Sequence, residues 1–371
     1  MLSRSIPISG ETAANLVQKL YGLHAIDVKI LNGFRDANFY IKSKNGDEFV
    51  LKIMNTAQTK APNQTVALIQ MLQYLNEQDG IAVPKPVRTT NGTFHDIKEI
   101  TYDNQISNTG ESITAASTTS GSHLVRLQSF LPGTVFHDIP GENVPSGFYY
   151  QLGESIANLQ KSLMECPVRL PEVPLEADEG NLMNLPKLRD LLQFVNDAEH
   201  RQVLSNIVTE FEEIVLTNLH NLRASVIHGD INTENVVVSG LNSDRGIHLA
   251  FIDFDEANEA YLVFDLAIAL AYFTCFNKGR DMFEICREIL RGYTSNFYIA
   301  DAEKRVLKTC ICARFAQSML LGWSIYARDP AKTYALDVYR NGWSVLEKFR
   351  QVTDLWNKVF TGTTAIDQST L

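Results

Sequence analysis

The hydrophobic periodicity of this chain changes once, and that change limits its fold more than any other feature. Up to about residue 131, short apolar runs are separated by turn signals; beyond it, apolar residues recur at spacings of three and four. Residues 28–31, the run Phe39-Tyr40-Ile41, and Glu48-Phe49-Val50-Leu51-Lys52-Ile53 read as strands. Asn45-Gly46 between the last two is a strong hairpin signal, because a two-residue turn needs positive φ. Three successive antiparallel strands are therefore expected, followed by a helix over 62–79 and further strands at 83–87, 94–101 and 123–131. Residues 107–122, rich in Ser, Thr and Gly, have too little apolar area to offset ordering and read as a mobile surface loop.

Leu131-Pro132-Gly133 punctuates the change. After it, 203–222 sets Val203, Leu204, Ile207, Val208, Phe211, Ile214, Val215, Leu219 and Leu222 on one helical face. Further helical patterns lie near 148–164, 261–276, 281–297 and 303–328. The fold class is α+β, with a sheet-bearing lobe over 1–131 and a mainly helical lobe over 132–371. The 371 residues, 45% hydrophobic and 20% charged, suffice for a large core. A formal net charge of −10 argues against nucleic acid as a partner. The apolar run 261–276 is too short to span a bilayer and carries Asp265, so no membrane role is expected. Five cysteines without paired spacing suit a reducing compartment, and the N-terminus has no secretory h-region.

The chemistry is concentrated where the helical pattern gives way to strand: Val226-Ile227-His228-Gly229-Asp230-Ile231-Asn232-Thr233-Glu234-Asn235-Val236-Val237-Val238. A second strand, His248-Leu249-Ala250-Phe251-Ile252, ends in Asp253. Phosphoryl transfer uses a carboxylate to orient the attacking hydroxyl and take its proton, and Asp230 has that position. It also uses Mg²⁺, a hard cation that takes oxygen ligands, and Asn235 and Asp253 offer an amide carbonyl and a carboxylate. His228 is expected to hold the loop by hydrogen bonds. Upstream, Lys52 on the third strand is placed to reach the phosphates of a nucleotide.

With these segments the chain resembles the aminoglycoside phosphotransferase (choline kinase-like) family, and within it the hydroxylysine kinase branch. The resemblance is carried by Asp36-Ala37-Asn38-Phe39, Lys52, Val125-Arg126-Leu127, His228 through Asn235 and Asp253-Phe254. It continues through Tyr261-Leu262-Val263-Phe264-Asp265, Arg314-Phe315-Ala316-Gln317-Ser318 and Gly342-Trp343. It implies a protein-kinase-like two-lobe fold with a nucleotide in the cleft. Lys52 would bind phosphate, Gly33 and Asn38 would shape the phosphate-covering turn, Asp230 would be the base, and Asn235 and Asp253 the Mg²⁺ ligands. It further implies a hydroxylated amine acceptor, 5-hydroxy-L-lysine, with GTP or ATP as donor and GTP the nucleotide of that branch, in the cytoplasm. Asp265 would brace the catalytic loop.

Two features depart from the protein-kinase pattern. Gly33 is the single glycine in the turn, and no acidic residue lies between Glu48 and Glu77 to pair with Lys52. Three activities fit the residues: a hydroxylysine kinase-like enzyme, a kinase of another amino alcohol, homoserine or an aminoglycoside, and a nucleotide-binding pseudokinase. The joint presence of Asp230, Asn235 and Asp253 favours catalysis. Cys310 and Cys312 read as small core residues of a helix. The segment holding Trp323, Tyr326, Tyr334, Tyr339 and Trp343 reads as core packing, with an aromatic wall for a cationic amine as the sharper alternative.

Overall fold

Alternating burial at the N-terminal end becomes a sheet. The computed structural model describes residues 7–31, 36–60, 62–103, 118–171, 179–241 and 246–361. The chain divides into one unit of 1–77 with 83–131 and another of 78–82 with 132–371. The first unit comprises α1 (Gly10–Tyr21), β1 (Ala25–Leu31), β2 (Ala37–Ser43), β3 (Glu48–Ile53), α2 (Thr56–Thr59), α3 (Pro62–Leu75), β4 (Pro86–Val87), β5 (His95–Asp103) and β6 (Thr118–Ser129). Its strands are antiparallel in the order β1-β2-β3-β6-β4, with β5 also paired to β6. β2 buries Ala37, Phe39, Ile41 and Ser43. Leu51, Ile53, Val125 and Leu127 join this face, and α1 packs on it through Ala13, Val17 and Leu20. Each such buried aliphatic side chain contributes roughly 1.5–3 kcal/mol. Ser9 caps α1 by accepting from the Thr12 amide at 3.1 Å, and Gly22 ends it at φ 67°.

Two expectations change here. Residues 118–122 are strand, paired in register with 99–103. The backbone of β5 has groups to satisfy, and the backbone of a Ser/Thr run satisfies them, so no apolar alternation announces it. The rest of the expected loop lies outside the described residues. Residues 78–82 belong with the second unit, where the Ala82 carbonyl accepts from the Phe251 amide at 2.9 Å.

The second unit contains β7 (Thr134–Val135), α4 (Phe148–Glu165), a 3₁₀ stretch at Leu182–Phe194, α5 (Ala198–Glu210), β8 (Ala224–Ile227), β9 (Val236–Ser239), β10 (His248–Phe251) and β11 (Asn258–Tyr261). The helices α6 (Leu262–Cys275), α7 (Met282–Asn296), α8 (Asp301–Arg328), α9 (Asp337–Gln351) and α10 (Leu355–Thr361) complete it. The amphipathic stretch 203–222 stays helical but changes pitch, passing from α5 to a π turn at Phe211–Val215 and a 3₁₀ turn at Leu216–Asn221. Thr217 and Asn218 side chains bond carbonyls four residues back in this stretch, a competition that loosens regular helix.

Helix α6 is buried on all sides except at Tyr272, as befits a sequence that is apolar apart from Asp265 and Thr274. Among the described residues no helix is long and apolar enough to cross a membrane. Helices α4 and α7 approach closely at Gly153 and Gly292, where a Cβ would lie 2.0 Å from the Ile289 carbonyl oxygen and 1.8 Å from that of Tyr150. Two small sheets, β10-β9-β7 and β11-β8, project the intervening loops that carry the polar residues.

Candidate active site

The loop between β8 and β9 contains residues 228–235. β8 pairs with β11, not with the β9–β10 hairpin, so the chain must turn sharply as it leaves Ile227. Gly229 makes the turn at φ 80°, and a Cβ there would lie 2.3 Å from the Glu256 carbonyl oxygen. Only glycine fits both conditions.

Asp265, on the first turn of α6, is fully buried beneath this turn. Its two oxygens accept from the His228 amide at 2.9 Å and the Gly229 amide at 2.8 Å. Burial pushes its carboxyl above the ordinary range, while His228 and the two amides favour the charged form. The His228 ring is likewise buried. Its Nδ1 accepts from the Asp230 amide at 3.3 Å, which leaves Nε2–H to donate to the Ile252 carbonyl at 3.1 Å. His228 thus links the loop to the strand end before Asp253 and acts as a brace.

Asp230 is gripped on both carboxylate oxygens. Asn232 Nδ2 and Asn235 Nδ2 donate to Oδ2 at 2.7 and 3.0 Å, and Arg314 Nη2 donates to Oδ1 at 2.7 Å. Asn235 Nδ2 also donates to the Asp230 carbonyl at 2.9 Å. With its amide nitrogen so committed, Asn235 turns its carbonyl oxygen away from Asp230, the end a hard cation takes. The hairpin continues past its strands, since the Ile252 amide donates to the Asn235 carbonyl at 3.0 Å. That bond brings Asp253 next to Asn235. Asp253 adopts φ 63°, ψ 65°, a left-handed conformation that Asp tolerates better than most residues and that occurs at functional turns. An amide carbonyl and an exposed carboxylate on neighbouring turns suit Mg²⁺, which keeps waters and phosphate oxygens for its remaining positions.

Arg314 and Asn232 lie in segments that carry the family resemblance, but the sequence reading gave neither of them a role. Asn232 Oδ1 also accepts from the amides of Glu234 and Asn235 at 2.7 and 3.1 Å, an Asx-type turn whose signal is the Asn itself. Arg314 comes from α8, 84 positions away; its segment carries part of the family resemblance, but nothing local ties it to Asp230.

In the first unit, the cross-strand register sets Asn38 opposite Lys52 and Lys52 opposite Arg126. All three share the sheet face opposite the α1 core, because Leu51, Ile53, Val125 and Leu127 occupy the other. Lys52 is 5% exposed and Arg126 4%. Asp36 Oδ1 accepts from the Asn55 amide at 2.8 Å and its Nδ2 at 3.0 Å, tying the entry of β2 to the exit of β3. Gly33 lies outside the described residues.

Of the weaker features, the cysteines take the bland reading, whereas the aromatic segment does so only in part: Trp323 is buried, Tyr326, Tyr339 and Trp343 are half-buried and Tyr334 is exposed. All five cysteines are buried free thiols. Trp323 packs edge-on against Tyr339 at 5.2 Å, and Trp343 stacks on His200 at 3.6 Å.

Residues 27–294 match the phosphotransferase enzyme family, APH. Among curated relatives, hydroxylysine kinase of Xenopus laevis is 27% identical, covering 92% of this chain and 89% of its own. Hydroxylysine kinase of Mus musculus is 26% identical, covering 94% and 93%. Among solved structures, an amicoumacin kinase complex with AMP-PNP and Ca²⁺ superposes with a TM-score of 0.63 at 16% identity, over 94% of this chain and 95% of that one. A microcompartment-associated aminopropanol kinase gives 0.61 at 15%, over 92% and 98%. These two superpositions speak for the fold, a kinase-like α+β architecture. The chain belongs to the APH phosphotransferase enzyme family and is an enzyme that phosphorylates an alcohol group.

Proposed function

We propose that the chain moves the γ-phosphoryl group of GTP or ATP onto the hydroxyl of a small amine-bearing acceptor, with 5-hydroxy-L-lysine as that acceptor. The observation that carries the reading is the fixed Asp230 carboxylate, with the Asn235 carbonyl and Asp253 on the adjoining hairpin. A base, a neutral oxygen donor and a carboxylate donor are what an in-line transfer assisted by Mg²⁺ requires. The acceptor identity is supported by the curated relatives, four of which carry the name hydroxylysine kinase at 24–27% identity.

In this reading Asp230 orients the acceptor hydroxyl and takes its proton as the oxygen attacks phosphorus. Asn235 and Asp253 would hold Mg²⁺, which when bound would offset negative charge on the phosphates. Lys52, with Asn38 beside it and Arg126 next in the row, takes the nucleotide phosphates, and Gly33 belongs to the turn that covers them. Lys52 and Arg126 face one another across the β3–β6 pair, and two cations in one row attract a polyphosphate. The buried thiols are consistent with a reducing setting, and we assign the enzyme to the cytoplasm.

The test is a phosphotransfer screen with Mg–GTP and Mg–ATP against 5-hydroxy-L-lysine, ethanolamine, choline, homoserine and an aminoglycoside, with Asp230→Asn as control. Turnover of 5-hydroxy-L-lysine that Asp230→Asn lowers by a factor of about 10² or more is the expected result. Turnover of another acceptor alone replaces the substrate. Nucleotide binding with silence across the panel refutes the reading and favours a pseudokinase.

A further inference from the structure

We propose that Arg314 is a positioning residue for Asp230, and that its grip selects Oδ1 as the oxygen that receives the acceptor's proton. The inference rests on the reading of Asp230 as the base. An ionised carboxylate has about four lone-pair sites, two on each oxygen. Among the described residues, Asn232 and Asn235 occupy two on Oδ2, and Arg314 occupies one on Oδ1. The remaining site is on Oδ1. As the acceptor oxygen bonds to the γ-phosphorus, the bond from phosphorus to the bridging oxygen breaks and the nucleoside diphosphate leaves with its electron pair. The hydroxyl proton passes to Oδ1.

The guanidinium is itself held in one orientation. Its Nη1 donates to the Gly180 carbonyl and to Gln317 Oε1, both at 2.8 Å, and it lies over the Tyr272 ring at 5.3 Å. Gln317, fully buried one turn further along α8, donates to the carbonyls of Glu179 at 3.0 Å and Asn181 at 2.9 Å. The Arg314 side chain is 8% exposed and Asp230's is 20% exposed. A cation so buried is costly unless its partners are fixed, and here they are spread over a loop backbone, its own helix and the base. A lysine, a point charge on a flexible stem, cannot make that three-way fork.

The experiment compares wild type, Arg314→Met and Arg314→Lys. It measures transfer to 5-hydroxy-L-lysine, acceptor-free hydrolysis of Mg–GTP and Mg–ATP, nucleotide affinity and thermal midpoint. In both variants kcat is expected to fall about 10- to 100-fold, the scale set by roughly 1 Å of misplacement. The acceptor KM and nucleotide affinity stay within about threefold, the split expected of a group acting on the reacting geometry. Acceptor-free hydrolysis, in which water replaces the acceptor, falls in parallel. Wild-type kcat in Arg314→Met, or full rescue by Arg314→Lys, overturns the proposal. A loss of kcat matched by an equal loss of folded protein or of nucleotide affinity also overturns it, because a purely structural pair would behave that way. If wild type transfers to no acceptor, the functional reading fails, while the hydrolysis rates still decide the role of Arg314.

Discussion

Replacing Asp265 by Asn tests whether the catalytic loop is held from beneath. The substitution conserves shape and burial but leaves one acceptor oxygen where there were two. In the native site both oxygens receive backbone amides, at 2.9 and 2.8 Å, and such charge-assisted bonds are worth about 1.5–3 kcal/mol each. With Asn, one amide meets an NH₂ donor and is left unsatisfied in a buried setting, at a cost of about 1–3 kcal/mol. The other bond weakens from charge-assisted to neutral, by about 1 kcal/mol. Relief from burying a carboxylate offsets part of this, so a net loss of about 2–3 kcal/mol is expected. For a unit of this size that corresponds to a fall of roughly 4–12 °C in Tm. Because the displaced amides flank Asp230, kcat is expected to fall about 10²-fold in the protein that stays folded. Urea titration followed by steady-state assay below the transition measures both. An Asp265→Asn protein with the wild-type urea midpoint and kcat within twofold would refute the bracing argument.

Lys52→Ala is expected to raise the nucleotide KM at least about tenfold without unfolding the protein, and unchanged nucleotide use would remove Lys52 from the phosphate site. Glu303→Gln breaks the bidentate pair with Arg223, in which Nε donates at 2.9 Å and Nη2 at 2.6 Å to a carboxylate 2% exposed. Loss of one buried partner costs about 3–5 kcal/mol, reduced to about 2–3 kcal/mol because Arg223 is one-fifth exposed; calorimetry should show a lower Tm, and kinetics an unchanged kcat. Burial pushes the Cys275 and Cys312 thiols up to about 12. The folded protein therefore keeps protons that the unfolded chain releases above about pH 9. Stability should accordingly fall as pH rises from about 9 to 12, by up to about 1.4 kcal/mol per thiol per pH unit. Urea midpoints at pH 8 and 10 check the sign, and native protein at pH 8 should leave Ellman's reagent unreacted.

What the sequence discloses follows the range of the interactions. The loop from His228 to Asn235 is legible because its bonds run between near neighbours, Asp230 to Asn232 and Asn235, and its Gly is required locally. Helix α1 carries its own signals, Ser9 before it and Gly22 after it, which a reading centred on apolar periodicity passes over. Residues 118–122 carry none, since their partner strand supplies the reason for their conformation. Arg314 is the extreme case. It sits on a helix buried on most sides, where a lone arginine has no periodic signature, and its meaning depends on a loop 84 residues earlier.

The placement of Lys52 shows how a short-range feature can fix a long-range one. Asn45-Gly46 sets the turn between β2 and β3, and that turn fixes which residues face each other along the whole hairpin. Asn38 meets Lys52 and Ala37 meets Ile53 because Lys42 meets Glu48 beside the turn. A slip of one residue in β3 would carry Lys52 to the face that α1 packs against and bring Leu51 and Ile53 out of it. The same apolar residues that bind α1 to the sheet therefore hold the lysine on the opposite face. Any substitution that weakens that core, Phe39→Ala for instance, should loosen the register and reach Lys52 without touching it.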